Sequence, residues 1–259
     1  MTNPPAKKRG VKVIDNIFGK LLRHLVFALI RPYYDLFYNV SCSNKEQLQD
    51  LTGAIILSNH VSRNDPPLIM TSLYTVTRIR PTAYYLEYEH WLQKYPMMLF
   101  GTIPMSSPKD WAPERREEQK LKTLDIMKRV LQNDNSILIF PAGSIRKGEK
   151  EEIPPYLTGA YDMVKALPDH PVVLLKVDGL GKSQYRIYDQ FWSFLGIKKG
   201  RRHAKIELEV FQEFPRFENK ENFNKFLEDY FNGVDTADNL LPPATRDTAP
   251  NNNPDALDT

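Results

Sequence analysis

Leu57-Ser58-Asn59-His60-Val61-Ser62-Arg63-Asn64-Asp65-Pro66-Pro67 joins two different hydrophobic patterns, and that change decides the fold. Before it, Ala54-Ile55-Ile56-Leu57 is a short unbroken apolar run of the kind that forms a buried strand. After it, Leu68, Ile69, Met70, Leu73 and Tyr74 return at helical spacing. Proline suits the first turn of a helix and drives the residue before it out of the right-handed helical region. The stretch therefore reads as a strand-to-helix connection that carries His60 and Asp65 off the regular elements. On a continuous helix a spacing of five residues would set them well apart around the axis. In a tight turn at the carboxyl end of a strand they can meet, and open α/β sheets place their ligands at that end.

An imidazole held by a carboxylate can take a proton from a hydroxyl. A hydroxyl is a poor nucleophile at neutral pH, so its attack on an electrophile needs a general base whose pKa lies near the working pH. His60 suits that role, with Asp65 fixing its tautomer and stabilising the imidazolium that forms. The plainer reading makes Asp65 the N-cap of the helix that begins at Pro66, with His60 an ordinary loop residue. For an isolated pair five apart that reading is the better one, so the decision rests on the neighbouring stretches.

Two of these repeat the strand-then-loop pattern. Ser136-Ile137-Leu138-Ile139-Phe140 is a second buried-strand signal and runs directly into Pro141-Ala142-Gly143-Ser144-Ile145-Arg146-Lys147-Gly148. A strand ending in a Gly-containing loop with two adjacent cations offers backbone amides and positive charge to an anion. A solvated basic turn is the alternative. Pro171 to Val177 is a third strand, and Arg202 to Phe214 alternates as a late one. Thr82 to Tyr88 alternates loosely, and Gly101-Thr102-Ile103-Pro104-Met105 is a Gly-led turn into a short extended piece. Helices are expected at 89–100, broken before Pro96, and at 114–132, 158–167 and 221–231.

The first part of the chain differs in character. Residues 11–38 read as helix broken near Arg31-Pro32, with Ile14, Ile17, Phe18, Leu21, Leu22, Leu25, Val26 and Leu29 on one stripe and Lys12, Lys20 and Arg23 among the polar positions. A basic amphipathic helix commonly lies in a membrane interface, and equally often packs on its own protein's core. Its longest apolar run, 25–30, is far short of the roughly 20 residues a spanning helix needs. No early apolar core with a small-residue cleavage site is visible, so no secretory signal is expected. From Val234 onward Pro, Asn, Asp and Thr dominate, which predicts a disordered tail.

Composition narrows the function classes. The 259 residues suit one domain with a small accessory element and tails, and the 41% hydrophobic content is enough for a core. A net charge of +3 is too balanced for a nucleic-acid partner, though compatible with an anionic membrane. A single cysteine, Cys42, excludes an internal disulfide. The five histidines form no i,i+4 pair and have no cysteine companions, so no metal site is expected.

Asn59-His60-x4-Asp65, then Gly101-Thr102-Ile103-Pro104, then Phe140-Pro141-x-Gly143-Ser144, then the strand at 171–177, is an order that resembles the glycerolipid acyltransferase family over roughly residues 50–180. The resemblance implies an α/β fold with a mixed, mostly parallel sheet flanked by helices and an N-terminal amphipathic membrane-docking element. It divides the chain into amphipathic helices at 1–45, an acyltransferase domain at 46–233 and a tail at 234–259. It makes His60 the general base and Asp65 its orienting partner in transfer from an acyl thioester to a hydroxyl, with no covalent acyl-enzyme. It places Asn59, Arg63, Gly101, Pro141, Gly143, Ser144, Arg146 and Lys147 around the substrate. It implies no cofactor: acyl carrier protein or coenzyme A brings the acyl group, a lysolipid receives it, and the protein sits peripherally on the cytoplasmic face of the membrane.

Two departures bear on the acceptor. The family pattern has Glu where this chain has Ala142, and a phosphate-gripping Arg where it has Ile145, with Arg146 one place later. The Arg that ends the second motif falls at Ser107, with Lys109 nearby. The expected acceptor is 1-acylglycerol-3-phosphate, narrowly ahead of a lyso-aminolipid of the lyso-ornithine type or a lysophospholipid. A membrane-surface binding module with a degenerate site ranks below both, because a lost activity would not need the base.

Overall fold

The computed structural model describes residues 17–49, 51–89, 91–106, 110–180 and 202–234. In chain order its elements begin with α1 (Ile17–Phe37), β1 (Tyr38–Ser43), β2 (Ile55–Ser58), α2 (Asp65–Leu73) and β3 (Ile79–Tyr84). There follow α3 (Trp91–Phe100), β4 (Ile103–Met105), α4 (Pro113–Gln132) and β5 (Ser136–Ile139). The last are α5 (Gly159–Ala166), β6 (Val172–Asp178), β7 (Arg202–Phe211) and α6 (Lys220–Asn232).

The strand that leads to His60 lies in the middle of a seven-stranded sheet ordered β1-β7-β6-β2-β5-β3-β4. β2 is parallel to both neighbours, β5 and β6, and β5-β3-β4 continue in parallel. Direction reverses only between β6 and β7, and β1 then runs parallel to β7 at the edge. Ile55 and Leu57 point into the apolar layer shared with Met127, Met163 and Phe226. Ile56 points the other way, into the layer shared with Phe27, Leu68 and Leu73. With helices on both faces all of β2 and β5 and the first four residues of β6 are buried, which is why these strands read as apolar runs instead of alternating ones.

The connections place the site. From β2 the chain crosses by α2 to β3, beyond β5; from β5 it crosses by α5 to β6, on the far side of β2. Two adjacent parallel strands whose outgoing connections leave in opposite directions open a crevice at their carboxyl ends. The loops starting at Asn59 and Phe140 sit there.

Several expected boundaries are corrected. Helix α1 runs through Pro32 and α3 through Pro96. Pro32 lacks the N–H that would reach the carbonyl of Ala28, but both residues are exposed, so water can serve that carbonyl and the helix goes on. The sheet begins at Tyr38, ahead of the expected domain boundary at 46, and Cys42 lies on β1 although it falls in the span 1–45 expected as amphipathic helices. Burial pushes the Cys42 thiol up to about 11, so it is a poor nucleophile. β3 starts before Thr82, because Arg80-Pro81 interrupt the apolar pattern without interrupting the pairing to β5. Residues 1–16, the tail from 235, and Ser107 and Lys109 lie outside the described residues.

Helix α1 packs one face on the core and leaves another uncovered. Phe27 packs its ring 4.0 Å from Tyr74 and 5.2 Å from Phe100, and Arg23 donates to the carbonyl of Leu99 at 3.1 Å. That face closes the core over α2 and α3. Leu21, Leu25 and Leu29 point away from it and stay 66%, 55% and 67% exposed. Among the described residues no helix is long and apolar enough to cross a membrane.

Candidate active site

Asn64, one residue earlier than the plainer reading placed it, is the N-cap of α2, and Asp65 is the first residue of the helix. The Asp65 side chain folds back over the loop it has just left. One of its oxygens, Oδ2, accepts from the backbone N–H of Val61 at 2.6 Å and of Ser62 at 2.7 Å, and lies 2.8 Å from His60 Nδ1. Asp65 is fully buried, whereas the His60 side chain keeps 16% of its surface. Because a carboxylate oxygen can only accept, the ring proton is assigned to Nδ1, leaving the Nε2 lone pair for a substrate. The tight turn therefore does what a helix could not, bringing two residues five apart in sequence into one hydrogen bond.

Three further contacts hold His60. Its ring stacks on Phe140, centroid to centroid 4.3 Å at 25° between planes, so the residue just after β5 supports the imidazole. Its carbonyl accepts from the N–H of Arg146 at 2.8 Å. Its own N–H donates to Glu151 Oε1 at 3.2 Å. Glu151 is 2% exposed, and burial pushes its carboxyl up to about 7, against the opposing pull of the His60 N–H and of the Arg146 charge. Asn232, on the last turn of α6, binds the main chain of Glu151 twice: its Oδ1 accepts from the Glu151 N–H at 2.8 Å, and its Nδ2 donates to the Glu151 carbonyl at 3.0 Å.

The other expected site residues divide. Arg146 reaches His60 through its backbone, as above. Arg63, Gly143, Ser144 and Lys147 are exposed on the same two loops. Gly143 takes a φ of 65°, and a Cβ there would come within 2.8 Å of Leu157 Cδ1, so the turn after Phe140 needs glycine. Pro141 is buried beneath that turn. Asn59 is a correction: its Oδ1 accepts from the Val177 N–H at 2.7 Å and its Nδ2 donates to the Val177 carbonyl at 2.8 Å. The carboxamide thus stands in for one more rung between β2 and β6, and it is spent on the scaffold. Gly101 is a second correction. It is buried at the α3-to-β4 turn with φ 62°, its N–H donating to the Met98 carbonyl at 3.3 Å, and it opens β4 at the end away from the carboxyl edge.

Phe140, Glu151 and Asn232 were missed as site residues. Phe140 stood in a recognised motif, but a stacking role leaves no trace in spacing. Glu151 hides in Glu149-Lys150-Glu151-Glu152, which reads as a solvated charge run, and only the return of α6 to this loop singles it out.

Among the described residues no group of His, Cys, Asp or Glu could hold a metal ion. The family model described as Acyltransferase matches residues 39–175, more than half of the chain. The chain belongs to the acyltransferase family. The matched span carries β2, β5 and the first four residues of β6, together with both loops that meet at His60. The fold is that of a solved member as well: the crystal structure of the 1-acyl-sn-glycerophosphate (LPA) acyltransferase PlsC from Thermotoga maritima is similar at 17% identity. The similarity covers 83% of this chain and 78% of that one, with a TM-score of 0.52. No curated protein matches the chain.

Proposed function

We propose that this acyltransferase moves a fatty acyl group from an acyl thioester to the free hydroxyl of a lysolipid, with His60 as general base. The observation that carries the reading is the 2.8 Å contact between His60 Nδ1 and the buried Asp65 carboxylate at the crevice where β2 and β5 end. His60 Nε2 takes the proton of the acceptor hydroxyl as its oxygen attacks the thioester carbonyl. The tetrahedral intermediate collapses, the C–S bond breaks, and the leaving thiolate recovers the proton from the imidazolium. The carboxylate of Asp65 offsets the imidazolium charge in between. Acyl carrier protein and coenzyme A both present a thioester, and either serves this chemistry as donor.

The acceptor we favour is 1-acylglycerol-3-phosphate. Ile145 stands where the family's gripping arginine would be, but the backbone of Arg146 is pinned to the His60 carbonyl, so its side chain leaves the main chain close to the base. The loss of the motif glutamate at Ala142 supports a second acceptor, a lyso-aminolipid of the lyso-ornithine type or another lysolipid. A panel of acceptors, each supplied with acyl-carrier-protein and coenzyme A thioesters, decides between them. Acylated product chiefly from 1-acylglycerol-3-phosphate is expected; product only from a lyso-aminolipid or a phosphate-free acceptor would overturn that assignment.

We also propose that the protein binds the cytoplasmic face of a membrane peripherally through the outer face of α1. Leu21, Leu25 and Leu29 form an exposed stripe at helical spacing, flanked by Arg31 and the partly exposed Arg23. Changing the three leucines to glutamine should reduce liposome binding by roughly tenfold or more, since each leucine buried in lipid contributes on the order of 1.5 kcal/mol. The thermal midpoint should barely move. Deleting the helix is a poorer test, because Phe27 and Tyr34 belong to the core. Flotation of the triple variant with liposomes as well as the unaltered chain would sink the idea.

A further inference from the structure

Position 142, where the family pattern carries a glutamate, is here an alanine packed into the apolar layer beside Ile137 and Ile139. The crevice nevertheless holds a second buried carboxylate, from Glu151. We infer that Glu151 is a positioning residue for the base: its side chain holds the His60 backbone, from a seat that Asn232 fixes, so that Nε2 stays aimed at the acceptor hydroxyl. The inference rests on His60 acting as the base of the proposed acyl transfer.

The argument begins at the end of β2. Ladder hydrogen bonds stop at Ser58, yet the N–H and C=O of His60 lie where the chain is still largely covered, and such groups need partners. Arg146 supplies the donor for the carbonyl and Glu151 the acceptor for the N–H. With Asp65 on Nδ1 and Phe140 against the ring, the residue is fixed at main chain and side chain together. Removing one support allows the imidazole to tilt, and displacement of a catalytic group by about 1 Å costs on the order of 100-fold in rate.

A purely architectural role for Glu151 fits less well. The tie between this loop and α6 is made by the Asn232 side chain to the main chain of residue 151 and by Glu228, whose Oε1 accepts from the Ile153 N–H at 2.6 Å; neither uses the Glu151 side chain. The one described hydrogen bond of the Glu151 side chain goes to His60, through Oε1; Oε2 is buried with no partner. A carboxyl taken out of water with one oxygen unsatisfied is unfavourable for stability. A residue retained only for folding would be better served by an apolar side chain.

The test compares Glu151→Ala, Glu151→Gln and His60→Ala in the full-length protein, measuring kcat and KM for donor and acceptor beside the thermal midpoint. Glu151→Ala keeps the Asn232 tie and is expected to lower kcat by about tenfold or more, with both KM values within about threefold. Glu151→Gln, whose amide oxygen can accept the same N–H, is expected to return kcat to within about threefold of the unaltered enzyme. Unchanged kcat in Glu151→Ala overturns the inference, and so does a glutamine variant no better than the alanine one. Should Glu151→Ala fail to fold, Asn232→Ala loosens the seat without entering the crevice: a lower kcat at unchanged KM supports the inference, and an unaltered kcat overturns it. Loss of turnover in His60→Ala with an unaffected Glu151→Ala removes the positioning role alone, whereas turnover surviving in His60→Ala removes the base itself.

Discussion

Thioester turnover by a His60→Ala variant is expected to fall about 100- to 10,000-fold, the usual contribution of a positioned general base. The effect should appear in kcat, since the acceptor hydroxyl would still bind but would attack with its proton in place. The imidazole's described side-chain partners are Asp65 and Phe140, so its loss leaves the strand pairing intact and takes only the stacking contact on Phe140 from the apolar layers; the thermal midpoint should stay close to that of the parent. Product formation followed against the thermal midpoint separates chemistry from folding. Turnover equal to that of the parent would remove His60 from the reaction.

Asp65→Asn should be nearly as damaging to turnover, by about 1,000-fold or more, for a different reason. Asparagine has the shape of aspartate and can still accept from Val61 and Ser62, but it carries no charge to stabilise the imidazolium. Its NH2 must also occupy the place of Oδ1, which is buried and has no partner, so a donor is left unsatisfied there. The variant is therefore expected to fold with a lowered thermal midpoint and little activity. Asp65→Ala removes the acceptor for both backbone N–H groups as well, and each buried donor left unpaired costs roughly 1–3 kcal/mol. The informative comparison is kcat in Asp65→Asn against the unfolding of both variants. Full turnover in the asparagine variant would show that the carboxylate orients the loop and contributes no charge to catalysis.

Much of this architecture was legible in the sequence because burial on both faces writes itself into composition. The runs Ile55-Ile56-Leu57, Ile137-Leu138-Ile139 and Val172-Val173-Leu174-Leu175 are apolar throughout, as strands covered on two sides must be. Pro66-Pro67 marked the start of α2, and the meeting of His60 with Asp65 followed from the length of the turn between strand and helix. Each of these depends on interactions within a dozen residues or on one-dimensional patterning. The helix breaks expected at Pro32 and Pro96 failed because proline only removes a local bond. Whether a helix survives that loss depends on what the rest of its length packs against, as Phe27 does against Tyr74 and Phe100.

What the sequence alone determined is the ordered scaffold and one side-chain pairing: central parallel strands, the loop at each carboxyl end, and His60 opposite Asp65. Only the tertiary structure decided how those loops are used. Asn59 looks like a site residue by position, but the neighbouring strand β6 claims its carboxamide. Glu151 looks like a surface charge, but α6 returns from the far end of the chain and Asn232 seats it under the His60 backbone. α1 looks like a single amphipathic stripe, but α2 and α3 cover one face and leave Leu21, Leu25 and Leu29 outside. The physical reason is the same in each case. A strand or a turn is specified by its own side chains, whereas the partner of a polar group is chosen among elements that are distant in sequence and close only after the sheet has assembled.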